Sequence, residues 1–203
     1  MCKKAVSLIL SVLFILVSIT VSGCSPSKQI DKASLAETVA VDSGENGLSY
    51  IFFLLNSNDK PNVVSIEANS FEEACKKARK SYIPELSLSK FELFAVNEKI
   101  YAECLQKDLT YIAKNSEISP VSYFTLCDKN TLSGMKKNSK YLESIKEYIN
   151  LLKKNNKDVS INCLSVFNKI YENNNLIIDV SYITSDEELK AEKGEIYIKN
   201  WEK

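Results

Sequence analysis

Apolar residues change their spacing from one segment of this chain to the next, and the spacing lays out most of the expected elements. A largely apolar stretch from Ala5 to Val21, interrupted only by Ser7, Ser11, Ser18 and Thr20, has no amphipathic period. Beyond residue 34 the runs shorten. Leu35–Val41 and Leu48–Leu55 are rich in β-formers and flank Asp42-Ser43-Gly44-Glu45-Asn46-Gly47, which predicts a hairpin around an Asn-Gly loop. Val63–Ala68, past Pro61, predicts a third strand. At Ser70 the period switches to 3.6: Phe71, Ala74, Cys75, Ala78 and Tyr82 recur on one helical face, while Glu72, Lys76, Lys77 and Lys80 face out. Ser70 and Glu73 have capping-box spacing, and Pro84 is a stop signal.

Phe91–Val96 predicts a strand that leads into a helix near Glu98–Lys114, with Ile100, Tyr101, Cys104, Leu105, Leu109 and Ile112 as its inner stripe. Val121–Cys127 predicts another strand, Asp128–Asn138 a polar connection, and Lys140–Lys154 a third helix buried along Leu142, Ile145, Ile149 and Leu152. Asp158–Phe167 and Leu176–Ile183 read as a second hairpin around Glu172-Asn173-Asn174-Asn175, with Glu195–Asn200 a last short strand. Strands alternate with helices in the middle and hairpins close both ends. The expected fold is α+β, a mixed sheet with about three helices packed on it. Residues 1–23 read as an export leader, 24–33 as a polar tether and 34–203 as one domain.

Lys3-Lys4, the apolar run and the small residues Ser22-Gly23 have the order of a secretory signal. Ending that run on Cys24 resembles the lipobox of bacterial lipoproteins, which implies a diacylglycerol on the thiol and Cys24 as the mature N-terminus. Two acyl chains, at about 0.8 kcal/mol per buried methylene, hold a protein on a membrane stably where one does not. An uncleaved signal anchor is the alternative, because the run approaches the roughly 18 residues of a span. Both routes put the domain outside the cytoplasm, tethered to the membrane.

Charge narrows the partners. The chain has 26 basic and 26 acidic residues, and loss of Lys3 and Lys4 with the leader leaves 24 against 26. That balance carries no basic footprint for nucleic acid and no polybasic patch for anionic lipid. With no histidine anywhere, Ser-His-Asp, Cys-His and imidazole–metal chemistries are excluded. Neither a cofactor nor a metal site is expected. Cys75, Cys104, Cys127 and Cys163 lie far apart without a C-x-x-C pair. They allow three disulfide connectivities if paired, and their apolar faces favour unpaired, buried thiols.

Ser133-Gly134-Met135-Lys136 has the S-x-x-K spacing of penicillin-recognising enzymes, but the companion K-T-G and S-D-N segments are missing. The same spacing recurs at Ser25/Lys28, Ser57/Lys60 and Ser87/Lys90, so it reads as composition. Glu72-Glu73 and Glu187-Glu188 are adjacent pairs that do not face each other on a helix and read as solvated surface. No residue is assigned a catalytic role; Cys24 alone has a chemical one.

The order of segments resembles the Ger(x)C family, the lipoprotein C subunits of spore germinant receptors. The segments that carry it are the lipobox, Thr38-Val39-Ala40-Val41-Asp42-Ser43-Gly44, Ser70-Phe71-Glu72-Glu73-Ala74, and Phe91-Glu92-Leu93-Phe94-Ala95-Val96 running into Asn97-Glu98-Lys99-Ile100-Tyr101-Ala102. Leu109–Asn115, Ser119–Cys127 and Val166-Phe167-Asn168-Lys169 extend it. Ser25-Pro26 stands where the family usually has Trp-Asp. The resemblance covers the family's N-terminal domain. It implies a non-enzymatic, lipid-anchored protein that contacts polytopic receptor subunits. Capture of a small solute outside the cytoplasm is the second expectation, and a hydrolase using Asp, Glu or Lys the third.

Overall fold

A computed structural model describes residues 34–45, 47–55, 62–100, 102–172, 177–185 and 188–197. Cys24, the leader and the tether lie outside them. The described residues fall within one compact unit, Ser34–Lys203.

The unit is α+β and built on an eight-stranded mixed sheet. β1 (Ser34–Ser43), β2 (Leu48–Leu54) and β3 (Asn62–Ala68) form an antiparallel meander, as the hairpin pattern predicts. A two-residue strand, β4 (Leu86–Ser87), runs parallel to the start of β1. β5 (Leu93–Asn97), β6 (Tyr123–Cys127) and β7 (Ile177–Ser185) continue on the other side of β1, all parallel to it, and β8 (Leu189–Tyr197) closes the row antiparallel to β7. The order across the sheet is β3-β2-β1-β5-β6-β7-β8.

Strand periodicity of two loads both faces with apolar side chains. Tyr50, Phe52, Phe94, Phe124 and Val180 point to one face, where α1 (Phe71–Ser81), α2 (Ala102–Lys114) and α5 (Cys163–Glu172) cover them. Ile51, Phe53, Leu93, Ala95 and Ile183 point to the other, under α3 (Lys129–Lys137) and α4 (Ser139–Asn155). A bulge between Ala36 and Thr38 lets Ala36 share the first face with Val39. The extra residue, Glu37, meets Lys146 of α4 at 2.7 Å, and Glu92 meets the same ammonium at 2.6 Å. Lys146 is only 17% exposed, so this is the polar pin that fixes α4 on the sheet.

Five helices are described where about three were expected. The polar stretch after β6 is α3: Asp128 caps it by accepting from Thr131 N at 2.7 Å, and Leu132 and Met135 bury its inner edge. The expected hairpin over Asp158–Phe167 is instead a crossing followed by α5. Cys163, Val166 and Ile170 are buried at helical spacing, and Asn162 Oδ1 accepts from Ser165 N at 2.8 Å to start the turn. The C-terminal hairpin is β7–β8, and β8 begins well before Glu195. Tyr82 is 64% exposed, because α1 stops at Ser81 and Ile83 takes the inward position.

The crossing passes through the sheet. β6 and β7 pair only at Leu126–Cys127 with Tyr182–Ile183. Lower down, the chain around Ser160 wedges between them: Phe124 N donates to Ile161 O, Ser160 N to Asp179 O and Ser181 N to Ser160 O. Side chains complete the splayed ladder, with Ser181 Oγ donating to Phe124 O and Thr125 Oγ1 to Ser181 O. The chain thus changes faces without stranding its backbone groups.

α3 and α4 approach closely at Gly134, where an added Cβ would sit 2.9 Å from the Tyr141 ring. Gly134→Ala is expected to destabilise the domain by about 1–3 kcal/mol through overpacking. The Tyr141 hydroxyl is buried without a partner, so Tyr141→Phe is expected to cost nothing or to stabilise slightly. Urea unfolding midpoints of the two variants check both signs; equal losses would contradict this packing.

Candidate functional site

The residues singled out from sequence scatter. Ser133 and Lys136 both lie on the solvent side of α3. Ser25/Lys28 and Ser57/Lys60 are outside the described residues. Glu72 and Glu73 pair with Lys76 and Lys77 at 2.6 and 2.8 Å along α1. Glu188 is exposed, and Glu187 lies outside the described residues. No disulfide joins the described cysteines. Cys75, Cys127 and Cys163 are buried, and burial pushes their thiols up, Cys75 to about 12 against the pull of Arg79. Such thiols stay protonated and unreactive. Among the described residues no group of three or more His, Cys, Asp or Glu is placed to hold a metal ion.

What the fold brings together is different. The segments Thr38–Gly44 and Phe91–Ala102 become neighbours, because β1 and β5 pair in register from Thr38↔Leu93 to Val41↔Val96. At their ends Asn97 Nδ2 donates to Asp42 Oδ1 at 2.6 Å, and Asn97 Oδ1 accepts from Lys99 N. Two strands further, the Tyr182 hydroxyl of β7 donates to Glu98 at 2.7 Å. The carboxyl ends of parallel strands are where open sheets of this kind place ligands. Here the polar groups satisfy one another.

A second junction lies where α1 begins. Asp108 of α2 is 2% exposed. It accepts from Phe71 N and from the Tyr50 hydroxyl, each at 2.7 Å. Phe71 N is one of the orphan donors of a helix start, so a carboxylate from α2 caps α1 from the side. Ser70 Oγ accepts from Glu73 N at 3.2 Å as the sequence predicts, while the Glu73 carboxylate reaches past Ser70 to Asn69 N. Phe71 then stands at the centre of a ring cluster: Tyr50, Phe52, Phe91, Phe94 and Tyr111 all lie with centroids 5.6–6.1 Å from it.

On the solvent side, α1 and α2 leave a groove of about 600 Å³. Ser70 and Glu72 form one wall, and Gln106, Lys107, Thr110 and Lys114 of α2 the other. Sequence reading missed both Asp108 and this groove. The available signal was position: Asp108 falls three residues after Leu105, on the stripe that carries Leu109 and Ile112.

Burial pushes the Asp108 carboxyl up to about 6, against the pull of the Phe71 N–H, the Tyr50 hydroxyl and Lys107. Tyr50 is pushed up as well, by burial first and then by Asp108, with Cys104 and Cys75 facing it. The folded state therefore holds the Asp108 proton more tightly than the unfolded chain. Its contribution is greatest below the ordinary carboxylate pKa and is lost as pH rises from about 4 to about 6, an effect on the order of 3 kcal/mol. Asp108→Asn keeps an acceptor for Phe71 N and a partner for Tyr50 without the charge. It is expected to be more stable than wild type at pH 7, with the difference vanishing near pH 4. Asp108→Ala, which leaves Phe71 N unpaired, is expected to lose about 1–3 kcal/mol relative to Asp108→Asn. Denaturant melts between pH 4 and 7.5 test this; a pH-independent gap between wild type and Asp108→Asn would refute the buried-charge account.

No curated protein and no solved structure matches the chain. One family does. Residues 26–181 match the family described as the spore germination protein N-terminal domain. The match runs from beyond Cys24 into β7 and takes in the Asp108 junction and the Asp42–Asn97 contact. The resemblance carried by the segments of β1, α1 and β5 is thereby borne out, and with it a role in spore germination: the chain belongs to the spore germination protein N-terminal domain family.

Proposed function

We propose that this chain is a lipid-anchored, non-enzymatic subunit of a spore germinant receptor that works by contact with polytopic receptor subunits. Cys24 would carry the diacylglycerol and hold the domain on the extracytoplasmic face of the cell membrane or spore inner membrane. The observation that carries the reading is the family match, which opens at residue 26 directly behind the Gly23-Cys24 cleavage pattern. A short tether of about nine residues then separates lipid from domain, which keeps the domain within a few nanometres of the bilayer. The domain supplies rigid, covered surfaces, with its sheet packed on both faces. Among the described residues no helix is long and apolar enough to cross a membrane; in this reading the anchor is the lipid on Cys24.

Purification of the tagged chain from detergent-solubilised spore membranes, followed by mass spectrometry, tests both parts. The expected result is co-recovery of a polytopic receptor subunit, with both membrane attachment and co-recovery lost in Cys24→Ala. Attachment that survives Cys24→Ala would replace the lipid with an uncleaved leader. Recovery without any such subunit would sink the receptor role and put solute capture in its place.

A further inference from the structure

The groove between α1 and α2 has properties that the contact role does not use. Its volume of about 600 Å³ is within the roughly 300–1,000 Å³ that small-molecule sites occupy. Lys107 and Lys114 are seven residues apart on α2, which puts both ammonium stems on one side of the helix, about 10 Å apart along its axis. Among the described residues neither lysine makes an ion pair. The one acid of the lining, Glu72, is already held by Lys76 at 2.6 Å. Gln106, Thr110 and Ser70 add neutral hydrogen-bonding groups to the lining, the Thr110 hydroxyl being shared with that of Tyr171 at 3.3 Å. The groove therefore presents positive charge and hydrogen-bond donors, on walls contributed by two different helices.

We propose that this groove binds a small anion of the carboxylate or phosphate class, clamped between Lys107 and Lys114 and hydrogen-bonded by Gln106, Thr110 and Ser70. Charge-assisted hydrogen bonds to two ammonium groups are the strong contacts available to such a ligand. Lys114 also offsets the negative end of α2 in its last turn; Lys107, in the body of the helix, has no such service. Ser70 precedes Phe71 and Lys107 precedes Asp108, so a ligand that touches both bridges the same two helices that the Phe71–Asp108 hydrogen bond joins. Binding at this groove is independent of the receptor reading and stands or falls without it.

The test uses the full chain in detergent micelles at low ionic strength, titrated calorimetrically with citrate and, separately, with inorganic phosphate. Vesicles containing phosphatidylglycerol form a third arm. The expected result is saturable binding of at least one soluble anion, weakened about tenfold or more in Lys107→Gln/Lys114→Gln. Lys80→Gln/Lys90→Gln, which removes the same charge from exposed positions outside the groove, is expected to bind as wild type does. Absence of saturable binding up to about 10 mM of either probe overturns the proposal. So does equal weakening in the control variant, or lysine-dependent binding to vesicles alone, which would make this a membrane-facing surface.

Discussion

The bond from Phe71 N to the buried carboxylate of Asp108 sets the register of the larger core. An apolar stripe on a helix fits a sheet at several offsets, since methyl groups and rings tolerate sliding. A hydrogen bond to one backbone donor does not slide. By accepting from the first residue of α1, Asp108 fixes where that helix starts relative to α2, and by accepting from Tyr50 it fixes both relative to β2. Phe71 is thereby held at the one place where five aromatic rings can surround it. Taking a carboxylate out of water costs several kcal/mol before its contacts offset the loss. The rise of the Asp108 pKa to about 6, driven first by burial, is the direction that cost predicts.

The opposite face solves the same problem with a charge pair. Lys146 reaches from α4 to Glu37 and Glu92, and Glu37 is available only because the β1 bulge gives it no cross-strand partner. Each face thus has one polar pin among apolar contacts, and each pin joins a helix to β1 or its neighbours. Between the faces runs the crossing at Ser160, where β6 and β7 part and the chain passes through the sheet. That crossing places α5 on the face opposite α4, although the two are consecutive in the chain.

Where one physical signal dominated, the sequence was easy to read. The Ser70 cap, the stripe of α4 and the β-former runs of β1 to β3 all emerged close to their observed bounds. Signals that conflicted were misread. Val166-Phe167 are β-formers inside a helix, and only their spacing from Cys163 and Ile170 reveals it. α3 hides two apolar residues among lysines and a glycine, with its clearest mark the Asp128 cap. β8 mixes Lys190, Glu192, Lys193 and Glu195 with small and apolar residues, as suits an edge strand that faces water. Asp108 was legible as an acid on an inner stripe, but its partners come from residues 37 and 58 positions away. The groove could not be read at all, because α2 supplies one wall and the start of α1 the other.

Shifted titrations usually point to chemistry when they sit in a cleft beside a charge that serves no structural purpose. Here the strongly shifted groups sit at joints. Asp108 and Tyr50 tie β2 to two helices; Tyr182 and Glu98 tie β7 to the turn after β5; Cys127 and Cys163 are shifted by burial against the sheet. Each of these perturbations has burial as its first cause. Lys107 and Lys114 are different: on the solvent wall of α2 they line a groove and make no ion pair among the described residues. A domain built this way spends its buried polar groups on its own joints and leaves the solvent wall of α2 to meet what approaches from outside.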